Sequence, residues 1–297
     1  MNQQVKSPWV LDYLILSLCW GTSFILMREA TKSFGPFLCS WLRVTIASLI
    51  LLPYIIGKGE WPQLIEHWQK MMIAGLFSCV IPFCCYFYAL TSLSTGLSSV
   101  LNATTPMFGA LIAWIWLKEK LNALRVTGLL LGFLGITSLI FNASQPGELH
   151  NAHHVIAILA CLLATFFYGL AANFSQKYMR NFSPMLNATG CLIGASVALF
   201  VPAILDLPSE WPSLSSTLAI TLSGVFSTAA AYALFFRIIS KIGATRSMTI
   251  TYLVSLIAIC LGLYVLDESI SLVMIASAMI VLLGTALSSG LITRQQS

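Results

Sequence analysis

The chain has 297 residues, of which 58% are hydrophobic and 8% are Asp, Glu, Lys or Arg, against about 25% charged in an ordinary soluble domain. So few charges cannot cover a water-facing surface of this size, which excludes a soluble enzyme, a disordered chain and, despite the net charge of +5, a nucleic-acid-binding protein. Continuous apolar runs about 20 residues long, rather than alternating segments of about ten, predict an all-α membrane protein and not a β-barrel.

Ten apolar segments are expected to span the bilayer, at roughly 9–27, 37–56, 71–90, 97–117, 124–141, 155–174, 184–205, 214–236, 247–266 and 271–291. The first carries Asp12 and lacks a small-x-small cleavage site, so it is expected to be retained rather than removed as a signal. It places Trp20 and Phe24 four apart, on one helix face. The second contains Arg43, a full charge well inside a span. Backbone carbonyls, Glu29, a snorkelling path or a substrate carboxylate would each satisfy it. No charge occurs from 71 to 117, long enough for two helices, with Thr91 to Gly96 supplying the turn. Tyr86 sits mid-span in the third segment. In the fourth, Asn102, Thr104 and Thr105 precede Pro106, whose missing N–H frees a carbonyl about one turn earlier. That kink is either a gate with an open acceptor or a structural bend closed by a threonine hydroxyl.

The fifth segment carries Gly128, Gly132 and Gly135, and the tenth Ala276, Ala278, Gly284 and Ala286, which suits close helix packing. The sixth, eighth and ninth contribute Tyr168, Tyr232 and Tyr252, whose hydroxyls need partners in hydrocarbon. Trp9, Trp41, Trp61, Trp114, Trp116 and Trp211 lie near span ends and read as interfacial anchors. His150, His153 and His154 form a solvated loop group, the eight cysteines read as small buried hydrophobes, and no metal or cofactor is expected. Twelve of the fifteen Lys and Arg residues fall in segments that are cytoplasmic if the N-terminus is, and two, Arg28 and Lys32, in the opposite loops. This bias puts both termini in the cytoplasm.

The halves resemble each other. At an offset of 148, Trp20-Gly21 meets Tyr168-Gly169 and Pro36 meets Pro184. At 149, Lys118-Glu119 meets Asp267-Glu268 and Ser98 meets Ser247. Five spans per half is odd, so the halves, 1–145 and 146–297, are expected to be inverted relative to each other around a midplane site.

Trp20-Gly21-Thr22-Ser23-Phe24, Arg43, the run Leu97 to Leu101 followed by Pro106 and Trp116-Leu117-Lys118-Glu119, and Val265-Leu266-Asp267-Glu268 resemble the motifs of EamA-type transporters in the drug/metabolite transporter superfamily. The resemblance implies ten helices in two inverted repeats and export of small metabolites, often amino acids, across the bacterial inner membrane. It also implies a cavity lined by Trp20, Phe24, Tyr86, Asn102, Thr105, Tyr168, Tyr232, Tyr252 and Ser255, with Pro106, Arg43, Glu119 and Glu268 in gating or structural roles. A homodimer through helices 5 and 10 is compatible with it, as is packing of those helices within one protomer. Where many relatives would repeat Pro106, this chain has Ser255, which breaks the symmetry of the two gates. The alternatives are a carrier of drugs or cationic metabolites, and a membrane-embedded lipid-modifying enzyme. The enzyme would need a nucleophile, an acid–base pair or a metal cluster, and no HExxH, GxSxG or phosphate-binding loop occurs.

Overall fold

The computed structural model describes residues 9–142, 152–242, 250–268 and 272–288. Lys6, Arg246 and Arg294, which are among the twelve residues counted toward the cytoplasmic side, and the expectations placed on His150 and Ser247 lie outside the described residues. All regular structure among the described residues is helical: α1 (Trp9–Ala30), α2 (Pro36–Gly57), α3 (Trp61–Glu66), α4 (Trp68–Gly75), α5 (Ile81–Ala89), α6 (Thr95–Asn102), α7 (Thr105–Trp116), α8 (Ala123–Asn142), α9 (Ala152–Tyr178), α10 (Pro184–Leu205), α11 (Leu214–Gly224), α12 (Ala231–Ile242), α13 (Ile250–Val265) and α14 (Leu272–Ser288). Two π-helical segments, Leu76–Val80 and Val225–Ala230, join α4 to α5 and α11 to α12.

Local chemistry sets the boundaries. Ser94, Ser183 and Ser213 cap α6, α10 and α11, accepting hydrogen bonds from the N–H groups of Leu97, Leu186 and Ser216, which satisfies donors a helix start leaves unpaired. Proline opens α2 and α10, where its missing N–H costs nothing. Six helical stretches are long and apolar enough to cross a bilayer: Trp9–Ala30, Pro36–Gly57, Trp68–Ala89, His153–Tyr178, Pro184–Leu205 and Leu214–Phe235. Three shorter apolar helices accompany them, Ala123–Ser138, Ile250–Val265 and Ile275–Ser288. Leu49, Leu130, Leu134, Val197 and Val201 stay exposed on outward faces, a surface that suits lipid and not water. The molecule is a multi-pass membrane protein.

The segment expected as one span at 97–117 is two helices, α6 and α7, broken at Ala103 and Thr104. The break is where Pro106 removes a helical donor. The carbonyl of Asn102 accepts the Thr105 hydroxyl at 2.8 Å, so the bend is closed locally and does not leave an open acceptor.

Packing follows the small residues. α8 and α14 lie against each other where a side chain on Gly284 would strike the backbone of Gly132 and one on Gly128 would strike Ser288. α2 packs along α10, joined by Thr45 and Ser196 hydroxyls 2.6 Å apart and by the Trp41 indole donating to the Ser196 carbonyl at 3.1 Å. Trp41 is thus a helix-packing residue and not only an interfacial anchor, because it sits one turn inside α2. α1 packs on α11, α12 and α13, and α9 on α5, α6 and α7. Gly21 and Gly169 permit these crossings: a Cβ at Gly21 would lie 2.7 Å from the Ile257 Cβ, and one at Gly169 would lie 2.7 Å from the Gly109 nitrogen.

Candidate functional site

A cavity of about 510 Å³ lies between α1, α7, α9, α12 and α13, a size suited to a small organic solute. Ser23, Met27, Arg43, Phe83, Ser227 and Thr228, all buried, line one part of it, and the more exposed Glu119, Arg125 and Gln176 line another. Of the residues singled out in the sequence, Trp20, Phe24, Arg43, Tyr86, Asn102, Thr105, Pro106, Glu119, Tyr168 and Tyr232 line it.

The aromatic rings of the lining form two groups, a pair and a run of three. Trp20 meets Phe235 with ring centres 5.1 Å apart, Phe24 meets Tyr86 edge-on at 5.9 Å, and Tyr86 stacks on Tyr168 at 6.2 Å. These separations are favourable for aromatic pairs. The Tyr86 hydroxyl donates to the Asn102 side-chain oxygen at 3.0 Å, which ties α5 to the broken helix beside Pro106. Asn173, absent from the expectations, donates to the carbonyls of Gly109 at 3.0 Å and Gly169 at 2.8 Å. It pins α7 to α9 at the cavity wall.

Arg43 is 5% exposed. Its Nε donates to the Thr228 hydroxyl at 2.8 Å, Nη1 lies 3.0 Å from the Met27 sulfur, and Nη2 lies 3.4 Å from the Ser227 carbonyl. Its guanidinium stands 4.3 Å over the Phe83 ring. It neither snorkels nor reaches Glu29, which pairs with Lys32. The reason is the π-helical segment Val225–Ala230, whose wider turn presents Ser227 and Thr228 to α2; such turns recur at functional sites. Gly224 lets α2 approach, because a Cβ there would sit 2.8 Å from the Ile46 Cβ.

Tyr252, Ser255 and Glu268 do not line the cavity. On α13 the lining residues are Thr251 and Val254, and Tyr252 is turned from Thr251 by about 100° of helix. The Ser255 hydroxyl donates to the Ser99 carbonyl at 2.9 Å and is spent on the contact between α13 and α6. Glu268 seats its carboxylate on the start of α6: it accepts from the Thr95 N–H at 2.8 Å, the Thr95 hydroxyl at 3.0 Å and the Gly96 N–H at 3.3 Å, and pairs with Arg28. Charge at a helix start favours this placement. These contacts join α1, α6 and the end of α13. On the cavity lining, Gln176 donates to Glu119 at 3.4 Å, a longer link between more exposed groups. Asp12 is 6% exposed and pairs with Arg237 at 3.5 Å and Lys241 at 3.2 Å, which joins α1 to α12.

The chain matches the model of the EamA-like transporter family twice, over residues 7–141 and 155–290. It is 24% identical to the "Uncharacterized transporter YoaV" of Bacillus subtilis, across 97% of this chain and 98% of that one. It is 23% identical to an "Uncharacterized transporter" of Archaeoglobus fulgidus, across 93% and 96%. A solved structure described as "Crystal structure of protein" has the same fold, with a TM-score of 0.66 at 22% identity, covering 98% of this chain and 99% of that one.

Proposed function

The chain belongs to the EamA-like transporter family, and on that premise we propose that it is a secondary transporter, not an enzyme. In this reading it moves small organic metabolites, amino acids or related compounds, out of the cytoplasm across the bacterial inner membrane by alternating access. The observation that carries the reading is the cavity, lined by aromatic rings and by the partly exposed Glu119, with the cluster of Glu268, Arg28 and Thr95 lying outside its lining; in this reading the Glu119 end is the open one and the Glu268 cluster closes the other. A cavity reaching one face at a time is what alternating access requires.

The two moving parts are inverted five-helix halves, 1–145 and 146–297. Several pairs of features support this division, each separated by 148 or 149 residues. The π-helical segments begin at Leu76 and Val225, each just after a glycine. Among the described residues, the non-glycine residues with positive φ are Lys118 at 59° and Asp267 at 51°. The N–H groups of the glutamates that follow them, Glu119 and Glu268, bond to the carbonyls of Ala113 and Gly262. The pair Gln176 with Glu119 is the counterpart of Arg28 with Glu268. The bias of Lys and Arg toward one set of loops puts the open mouth on the cytoplasmic side, with both termini. Carboxylates at the two helix-4-like ends then act as alternate clasps: the outer one formed and charge-assisted, the inner one loose.

The aromatic wall would also attract a cationic drug by cation–π contact. The guanidinium of Arg43 in the same wall opposes that alternative. The test is export and resistance profiling of cells expressing the protein against amino acids and cationic dyes. The proposal expects lower intracellular levels of at least one amino acid and no dye resistance. Dye resistance with unchanged amino acids would favour the second reading.

A further inference from the structure

We propose that the cavity selects solutes bearing a carboxylate, which seats on Arg43. The proposal rests on the transporter reading above and names its substrate class.

Arg43 faces the cavity yet is 5% exposed, so water does little to solvate its charge. Its partners, Thr228, Ser227, Met27 and the Phe83 ring, are all neutral. Among the described residues no carboxylate forms an ion pair with it: Asp12, Glu29 and Glu268 pair elsewhere, Glu60 accepts from Ser183, and Asp206 accepts from the N–H groups of Phe37 and Leu38. A buried charge left in this state is costly unless something with the opposite charge arrives.

The geometry is suited to such an arrival. A guanidinium has five N–H donors in a planar fork, and three contacts engage it here. The two donors left, one on each terminal nitrogen, match the spacing of a carboxylate. Thr228 holds the fork in place through Nε while its own hydroxyl hydrogen goes to the Ser223 carbonyl at 3.1 Å. Thr228 is thus a positioning residue. The rings of Trp20, Phe24 and Phe235 line the same cavity and would take an apolar or aromatic body.

The test uses the full chain in detergent and matched probes: L-phenylalanine and 3-phenylpropionate against L-phenylalaninamide and 2-phenylethylamine. Thermal stabilisation is read for wild type, Arg43→Gln and Arg43→Lys. In wild type the two acids stabilise and the amide and amine do not. Arg43→Gln weakens acid binding roughly ten- to hundredfold, the loss of a hydrogen bond to a charged group. Arg43→Lys keeps part of it, since charge remains without the fork. If Arg43→Gln does not elute as a single folded peak, the acid preference of Arg43→Lys decides. Equal stabilisation by acid and amide, no stabilisation by either acid, or an unchanged preference in Arg43→Lys overturns the proposal. Uptake of the same labelled probes into proteoliposomes separates the two readings. Uptake of amine without acid removes the Arg43 assignment and leaves a carrier, whereas uptake of no probe counts against the carrier itself.

Discussion

At the scale of single residues, the site is built from side chains that join distant parts of the chain. The Tyr86–Asn102 hydrogen bond fastens α5 to the broken helix. Tyr86→Phe and Asn102→Ala should each destabilise the protein, and the double variant should lose less than the sum, by about 1 kcal/mol. Thermal or denaturant unfolding in detergent reads this coupling; strictly additive losses would mean the bond contributes nothing. Gly169 is a second such point. A methyl there meets the Gly109 nitrogen and a methyl at Gly21 meets the Ile257 Cβ, both at 2.7 Å and neither able to rotate away. Gly169→Ala and Gly21→Ala should therefore each cost about 1–3 kcal/mol, the range for overpacking. An unchanged unfolding midpoint in Gly169→Ala would contradict the close crossing of α7 and α9.

Residue-scale legibility was uneven for physical reasons. The aromatic residues Trp20, Phe24, Tyr86 and Tyr168 were visible because a large ring in mid-span stands out from aliphatic surroundings. Thr228 and Asn173 did not stand out, since a threonine or asparagine in a span often bonds its own helix. Arg43 was conspicuous, but its partner Thr228 lies 185 residues away, beyond any local spacing rule. Tyr252 and Ser255 come from the resemblance, which carries no helix phase, and the phase of α13 turns Tyr252 away from Thr251.

At the scale of elements, the glutamates of the two proposed clasps differ by one charge in their partners. Glu268 is held by an arginine and three hydrogen bonds at the start of α6, while Glu119 has a glutamine at its counterpart position. Giving the open end a charge should bias it toward closure. With the native cysteines replaced, Ala172→Cys at the cavity wall should react several-fold more slowly with a charged thiol reagent when Gln176→Arg is added. Arg28→Gln should not slow it. Unchanged labelling in Gln176→Arg would sink the clasp assignment. The ends of these elements were legible, because Lys118-Glu119 and Asp267-Glu268 are spelled out in the sequence. The π-helical segments were not. Their common signal, a glycine then a serine three residues on (Gly75 and Ser78, Gly224 and Ser227), is visible only once the halves are aligned at 149. The split of the fourth apolar segment was half visible: Pro106 marks the bend, and its closure by Thr105 follows from the fold.

At the scale of the whole molecule, the membrane class was set by composition, since a chain with 8% charged residues has no other solvent. The sequence shows ten apolar runs; among the described residues six helical stretches are long enough to cross, two of them through a π-helical segment, and the others are shorter or broken. Hydropathy measures apolar length, and it is blind to breaks at proline. Transport as proposed requires a solute to cross the membrane through the aromatic cavity. Uptake of a radiolabelled amino-acid panel into proteoliposomes holding the full chain, beside Trp20→Ala and Tyr168→Ala, tests this. Wild type should show saturable uptake of at least one amino acid, well above empty liposomes, with a large loss in both variants that still reconstitute. Uptake equal to empty liposomes for every amino acid, or wild-type rates in both variants, would contradict it.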